Sequence, residues 1–253
     1  MPFESTLWSE FFDEGHFPML PCPTCRTGRL SNHPFKFEKA DATHYTQADL
    51  DDLPEDYVRT AFVLIAKCGN SSCGEVVSVA GKYTYVELQT EHGVGMALVL
   101  QPKCMFPAPP ILELSDEMPR GVVLHLKRSF ELFWMDYASC ANCLRTVCEY
   151  ILDHLNVVRD GLSKKGKPVT YDLNGRIQIL SRRRSQKPNA SIIDALRIIG
   201  NLGSHGTSVT HLHLMAAFGF MDLLVQGMFS RGKAAALRKL ARKVVKTKGE
   251  IYF

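Results

Sequence analysis

Eight cysteines punctuate a chain of 253 residues, and four of them stand in two pairs, Cys22-Pro-Thr-Cys25 and Cys68-Gly-Asn-Ser-Ser-Cys73. A pair on a tight turn sets two thiolates on one side of the backbone, and two such knuckles complete the tetrahedral shell that zinc prefers. Pro23 stiffens the first turn, while Gly69 and Gly74 can supply the positive φ of a reversing backbone. Four thiolates leave no open position for water, so the expected metal is structural zinc on Cys22, Cys25, Cys68 and Cys73, with no catalytic role. The spacing is unusual for a ribbon: 42 residues separate the pairs and the second pair encloses four, where two is the rule. The acidic stretch 41–56 reads as an insertion. His16, His33 and His44 lie nearby as substitute ligands, although surface positions explain them more simply, and unrelated reduced thiols are the competing reading of the four cysteines.

Cys140, Cys143 and Cys148 fall in a helical pattern whose successive turns cannot gather three thiols, so they read as small core residues. The N-terminus lacks a basic n-region and carries Glu4, Glu10, Asp13 and Glu14, unlike a signal peptide. The apolar runs 61–66 and 94–100 are far shorter than the roughly 20 residues of a spanning helix. A cytoplasmic protein with reduced thiols and no membrane contact is therefore expected.

A second set of chemistry-bearing residues lies in 196–206. Arg197, Asn201 and His205 stand at i, i+4 and i+8, a polar ridge on a helix otherwise made of Ile192, Ile193, Leu196, Ile198, Ile199 and Leu202. Such a ridge suits a ligand-facing groove. The alternative is that Asn201 and His205 satisfy the helix end while Arg197 pairs with an acid such as Glu149.

Cations form the third set. Residues 1–118 hold 8 Lys/Arg against 17 Asp/Glu, a net of −9, whereas 119–253 hold 22 against 9, a net of +13. Lys164, Lys165, Arg182, Arg183 and Arg184 fall in or beside two loops. Arg238, Arg242 and Lys246 repeat at i, i+4 and i+8, with Ala236, Leu237, Leu240, Val244 and Val245 supplying an apolar side. Such surfaces suit a phosphate backbone, although mutual attraction of the two halves, or of a second subunit, accounts for the same asymmetry. No aromatic residues are interleaved, so base stacking gains no support.

The elements that must position these groups change character near residue 110. Phe3, Leu7, Trp8, Phe11 and Phe12 have helical spacing and suggest a short N-terminal amphipathic helix. β-Branched and aromatic residues at 59–67, 75–79, 83–88 and 96–100 suggest a small antiparallel sheet around the knuckles. The proline-rich run 106–110 is extended and acts as a connector. Period 3.6 then predicts helices over 117–136, 138–155, from 170 to the arginines at 182–184, from Ser191 (a capping box with Asp194) to Leu202, after Thr210, and after Ser230. A basic loop, 159–168, separates the second from the third. The fold class expected is α+β: a zinc-ribbon and β-sheet module over 1–110, then an all-α antiparallel bundle over 111–253.

Residues from about 106 to 225 resemble an uncharacterised bacterial helical domain placed near the HEPN superfamily (higher eukaryotes and prokaryotes nucleotide-binding) and found alone or fused to restriction subunits. The resemblance is carried by the proline-rich run 106–110, by Leu144-Arg145 with Cys148-Glu149, and by Leu196-Arg197-x-x-Gly200-Asn201-x-x-Ser204-His205 followed by Val209-Thr210. It implies a HEPN-like bundle that dimerises, and a setting in bacterial defence, restriction or toxin-type systems. Catalytic members are metal-independent endoribonucleases whose element places an arginine and a polar residue before a histidine. Here Asn201 takes the polar position and His205 the histidine, but Gly200 occupies the arginine position and offers no cation for a phosphorane. Arg145, or a residue of a second subunit, is the candidate replacement; Arg197 leans away along its helix. The expected function is nucleic-acid binding, with RNA favoured; the alternatives are an endoribonuclease using His205 and a dimerising interaction subunit.

Overall fold

The structure is a computed structural model that describes residues 3–13, 16–31, 37–40, 60–90, 93–162, 166–202 and 208–230. Its first half is an antiparallel sheet. Strand β1 (Phe12–Asp13) pairs with β6 (Gly93–Phe106), β6 with β5 (Val76–Thr90), and β5 with β4 (Ala61–Cys68), which also pairs with β2 (Leu30–Ser31) and β3 (Phe37–Ala40). In β4 strict alternation does the sorting: Phe62, Leu64, Ala66 and Cys68 are buried, and Ala61, Val63, Ile65 and Lys67 face outward. The segments expected at 75–79 and 83–88 are one bent strand, because the ladder shifts register between Ala80 and Gly81. A Cβ at Gly81 would collide with the Gln101 carbonyl, so the bulge needs a residue without one.

Among the described residues five α-helices follow: α1 (Arg120–Leu132), α2 (Tyr137–His154), α3 (Leu173–Ser181), α4 (Lys187–Leu202) and α5 (His211–Phe229). This half is not purely helical. Strands β7 (Asp160–Leu162) and β8 (Pro168–Thr170) pair within the expected basic loop and turn it into a hairpin. Helix α4 starts before Ser191, with Pro188 in its first turn, a position proline tolerates. Ser191 is therefore internal and caps nothing. The capping box belongs to α5: Thr210 Oγ1 accepts from His213 N at 3.4 Å, and His213 Nδ1 accepts from Thr210 N at 3.1 Å. The helix expected after Ser230 lies outside the described residues.

The N-terminal helix is replaced by a 3-10 turn, Ser5–Trp8, followed by β1. Glu4, at the N-cap, makes no side-chain cap bond, and the chain gains more by adding Phe12 to the edge of β6 opposite Leu100. Trp8 and Phe12 are buried in an aromatic cluster. Trp8 meets Phe133 at 5.9 Å, Phe12 meets Trp134 at 5.5 Å, and Phe133 meets Phe218 at 5.6 Å between ring centroids. Burial of each ring contributes about 1.5–3 kcal/mol, with a further ~1 kcal/mol for favourable ring pairs. His211 Nε2 donates to the Trp8 carbonyl at 2.7 Å, and the Asp222 carboxylate accepts from Phe3 N at 3.1 Å. The sheet and the helices thus share one core. Helix α5 is long and apolar enough to resemble a membrane span, more so than the runs at 61–66 and 94–100. Leu214, Phe218, Met221 and Val225 nonetheless sit in that core.

Helix α2 runs through the helical half, burying Cys140, Ala141, Leu144, Val147, Cys148, Ile151 and Leu152. Its C-terminal carbonyls attract cations. Arg176, 2% exposed, donates to Val157 O at 3.0 Å and to Asp153 Oδ1 at 2.6 Å. Arg183 donates to Leu155 O at 2.6 Å and Asn156 O at 3.0 Å, and Arg159 makes a two-point pair with Asp153. The Arg159 hydrogen bond, with Arg176 behind it, holds the Asp153 carboxyl below the usual carboxylate range. A depressed carboxyl stabilises the fold above its unfolded-state pKa and loses that contribution as pH falls through the folded value. Asp153→Asn should therefore cost about 2 kcal/mol at neutral pH by stranding the buried Arg176, less than a fully enclosed pair because Asp153 keeps contact with water. Urea denaturation across pH checks this: the gap between wild type and variant should close in acid.

Candidate metal centre and polar ridge

The two knuckles meet where β2 pairs with the end of β4, Leu30 opposite Cys68. Each is closed by its own backbone: Cys22 N donates to Gly28 O at 3.0 Å, and Cys68 N to Glu75 O at 2.8 Å. Gly69 N donates across to Arg29 O at 2.9 Å and docks the second knuckle on the first. Thr24 Oγ1 also donates to Glu75. The left-handed positions are Arg26 (φ 59°) and Gly74 (φ 63°). Gly74 matches expectation; Gly69 does not take positive φ, and its role is the cross-strand bond.

The four sulfurs lie within 4.8 Å of one another. Their close contacts run between the knuckles, Cys22 to Cys73 at 3.8 Å and Cys25 to Cys68 at 3.7 Å. A zinc ion with sulfurs at about 2.3 Å requires tetrahedral edges of about 3.8 Å. The donor set therefore fits zinc, held by Cys22, Cys25, Cys68 and Cys73, and what it would supply is cross-linking of the two turns. Gly28, which sequence reasoning passed over, is part of the cradle: a Cβ there would collide with Cys68 Sγ and lie 3.2 Å from Cys25 Sγ. Its N–H donates to Cys25 Sγ at 3.2 Å, and Asn70 N donates to Cys68 Sγ at 3.4 Å.

Without a cation these thiols titrate far apart. The Gly28 N–H and the Thr27 side chain lower Cys25 to about 6. The Asn70 N–H also favours the Cys68 thiolate, but burial and the Cys22 and Cys25 sulfurs outweigh it and push Cys68 up to about 12. Cys73 rises similarly: burial and the same neighbours overcome the Glu75 backbone bond. His16 is not in the cluster, and His33 and His44 lie outside the described residues. Cys140 and Cys148 are core residues, as expected, their thiols donating to the Ser129 and Leu144 carbonyls. Burial raises both.

In the ridge Arg197 pairs with an acid, as one of the two sequence readings expected, although the acid is Asp194 and not Glu149. Arg197 Nε donates to Asp194 Oδ1 at 2.8 Å, one turn back on α4, and Glu149 pairs with Arg145 at 3.6 Å. Arg145 crosses α4 at Gly200: a Cβ there would lie 2.7 Å from Arg145 Cβ and 3.2 Å from the Ala141 carbonyl. Arg145 Nε is buried and has no hydrogen-bond partner among the described residues. Asn201 is half-buried at the end of α4. His205 lies outside the described residues, as do Lys164, Lys165, Arg238, Arg242 and Lys246. Arg183 is committed to the α2 carbonyls. Arg182 and Arg184 are exposed beside Lys187 between α3 and α4, and none of these three side chains has a hydrogen-bond or ion-pair partner among the described residues.

Two domains of unknown function are found along the chain. Residues 10–97, which include both knuckles, match the Domain of unknown function (DUF8608). Residues 127–248, from the middle of α1 onward, match the Domain of unknown function (DUF4145). No curated protein and no solved structure matches the chain.

Protein purified without added metal should carry one equivalent of zinc by elemental analysis, and Cys22→Ser with Cys68→Ser should abolish it. Gly28→Ala, which leaves every ligand in place, should lower zinc retention against a chelator at least tenfold. Retention unchanged in Gly28→Ala would show that the metal does not sit among these sulfurs.

Proposed function

We propose that the chain is a nucleic-acid-binding protein, with RNA the favoured ligand, whose N-terminal module is braced by structural zinc and whose helical half presents the cationic surface. The observation that carries this reading is the corner between α3 and α4. Arg182, Arg184 and Lys187 stand exposed there without acidic partners among the described residues, in the half of the chain with a net charge of +13. Neighbouring arginines are consumed internally, Arg159 and Arg176 by Asp153 and Arg183 by α2. Unpaired cations held on rigid turns neutralise phosphates and release counterions, and they position a backbone without reading its sequence. The resemblance to the HEPN superfamily and its bacterial defence and restriction settings points the same way, and self-association through the helical half belongs to that reading.

The endoribonuclease reading is favoured by one contact. Gly200 lacks the arginine of catalytic relatives, but the Arg145 stem lies directly against it. The neighbouring helix thus sets the stem of a cation, whose guanidinium pairs with Glu149 at 3.6 Å, against the last turn of α4, and in this reading His205 would act as general acid or base.

Reversal of Arg182, Arg184 and Lys187 to Glu, with Arg183 kept to preserve the α2 cap, should weaken RNA binding more than tenfold. It should also flatten the slope of log affinity against log salt by about 3. Wild-type binding that does not change with ionic strength would reject the proposal. Metal-free RNA cleavage lost in both Arg145→Ala and His205→Ala, with melting temperature retained, would establish the enzyme instead.

A further inference from the structure

A cleft of about 480 Å³ opens beside the first knuckle, a volume in the range of small-molecule sites. Three segments far apart in sequence enclose it: the 3-10 turn, the knuckle itself, and the stretch 110–114 that leads from the connector toward the helices. Residues 4–8 and 110–114 fall outside both matched domains, so the cleft belongs to the junction and to neither domain alone. Its floor is apolar: Trp8, Ile111 and Leu112 are buried, and Leu7 is half-buried.

Four charged residues line the cleft. Arg29 and Glu113 have partners. Arg26 and Glu4 are exposed, and neither side chain has a partner among the described residues; Glu4 stands at an N-cap without making a cap bond. Arg26 is also held at φ 59°, a region that costs a side chain energy and glycine nothing. The bond that closes the turn, from Arg26 N to Cys22 O at 3.1 Å, is made by the backbone, so glycine would serve it equally. A strained residue whose side chain contributes nothing to its own turn points to use by a ligand. We infer that the cleft binds a zwitterion with a large apolar substituent, the chemical class of an aromatic or aliphatic α-amino acid. The ligand's carboxylate meets Arg26, its ammonium meets Glu4, and its side chain covers the floor of Trp8, Ile111 and Leu112. A guanidinium takes a carboxylate through two parallel hydrogen bonds, and burial of the apolar substituent adds affinity. A ligand with one charge leaves the other group unmatched. The inference stands apart from the nucleic-acid reading, whose cations lie between α3 and α4.

Calorimetric titration of the full chain with three indoles tests it. L-Tryptophan carries both charges, indole-3-propionate only the carboxylate, and tryptamine only the ammonium. L-Tryptophan should bind at least tenfold more tightly than either of the others. Arg26→Gly should reduce its affinity to that of tryptamine, and Glu4→Gln to that of indole-3-propionate. Arg26→Gly should also melt no lower than wild type, because glycine relieves the positive φ, so its loss of binding is not a loss of folding. L-Tryptophan that fails to bind the wild type, or binds no more tightly than the singly charged indoles, would overturn the inference. Binding that is unchanged in either variant would overturn it equally, by placing the ligand elsewhere.

Discussion

Four sulfur atoms within 4.8 Å of one another, two of them buried, cannot all carry charge without a cation among them. That constraint organises the first half of the molecule. The knuckles belong to segments separated by an acidic stretch, and their meeting ties the turn at 22–28 to the end of β4. Backbone N–H groups of Gly28 and Asn70 donate to the Cys25 and Cys68 sulfurs, and of the two only Cys25 is lowered, because burial and the other sulfurs outweigh the bond at Cys68. From the fixed end of β4 the ladder runs outward through β5 and β6, and β6 delivers the chain to the proline-rich connector and the helices.

In the helical half the arginines divide into two populations by what their guanidinium groups touch. Arg159, Arg176 and Arg183 converge on the C-terminal end of α2, where carbonyls without helical partners and the Asp153 carboxylate compensate them. They fix the β7–β8 hairpin and the end of α3 to the central helix. Arg182 and Arg184 flank Arg183 in sequence yet are exposed and take no part in this clamp. A run of three arginines is thus one structural residue between two solvent-facing ones, a distinction that net charge cannot make.

The knuckles were legible because metal ligation restricts residue type as well as spacing, and the sheet and five helices because periodicity reports burial. What escaped were features set by contacts distant in sequence. Gly28 matters because of Cys68, 40 positions away, and a glycine in a loop gives no local sign of the atom that will approach it. Helical spacing at Phe3, Leu7 and Trp8 was genuine, but the edge of β6 competed for Phe12 and the chain took a short 3-10 turn instead. Ser191 and Asp194 had the spacing of a cap, yet Pro188 allowed α4 to begin earlier and Asp194 went to Arg197. The box built from Thr210 and His213 was hidden because histidine stands in for the usual glutamate.

The junction between the halves decides how the charge asymmetry should be read. Opposite net charges of −9 and +13 invite the view that electrostatic attraction holds the halves together. Among the described residues the junction is closed by the rings of Trp8, Phe12, Phe133, Trp134 and Phe218, the His211 bond to a backbone carbonyl, the Asp222 bond to Phe3 N and the Tyr137 hydroxyl on Glu10. Aromatic burial is insensitive to salt, whereas exposed cations at Arg182, Arg184 and Lys187 are screened within about 10 Å at ordinary ionic strength. Such cations add little to cohesion across a core already sealed by apolar contact. Between α3 and α4 they stand exposed, with no partner among the described residues.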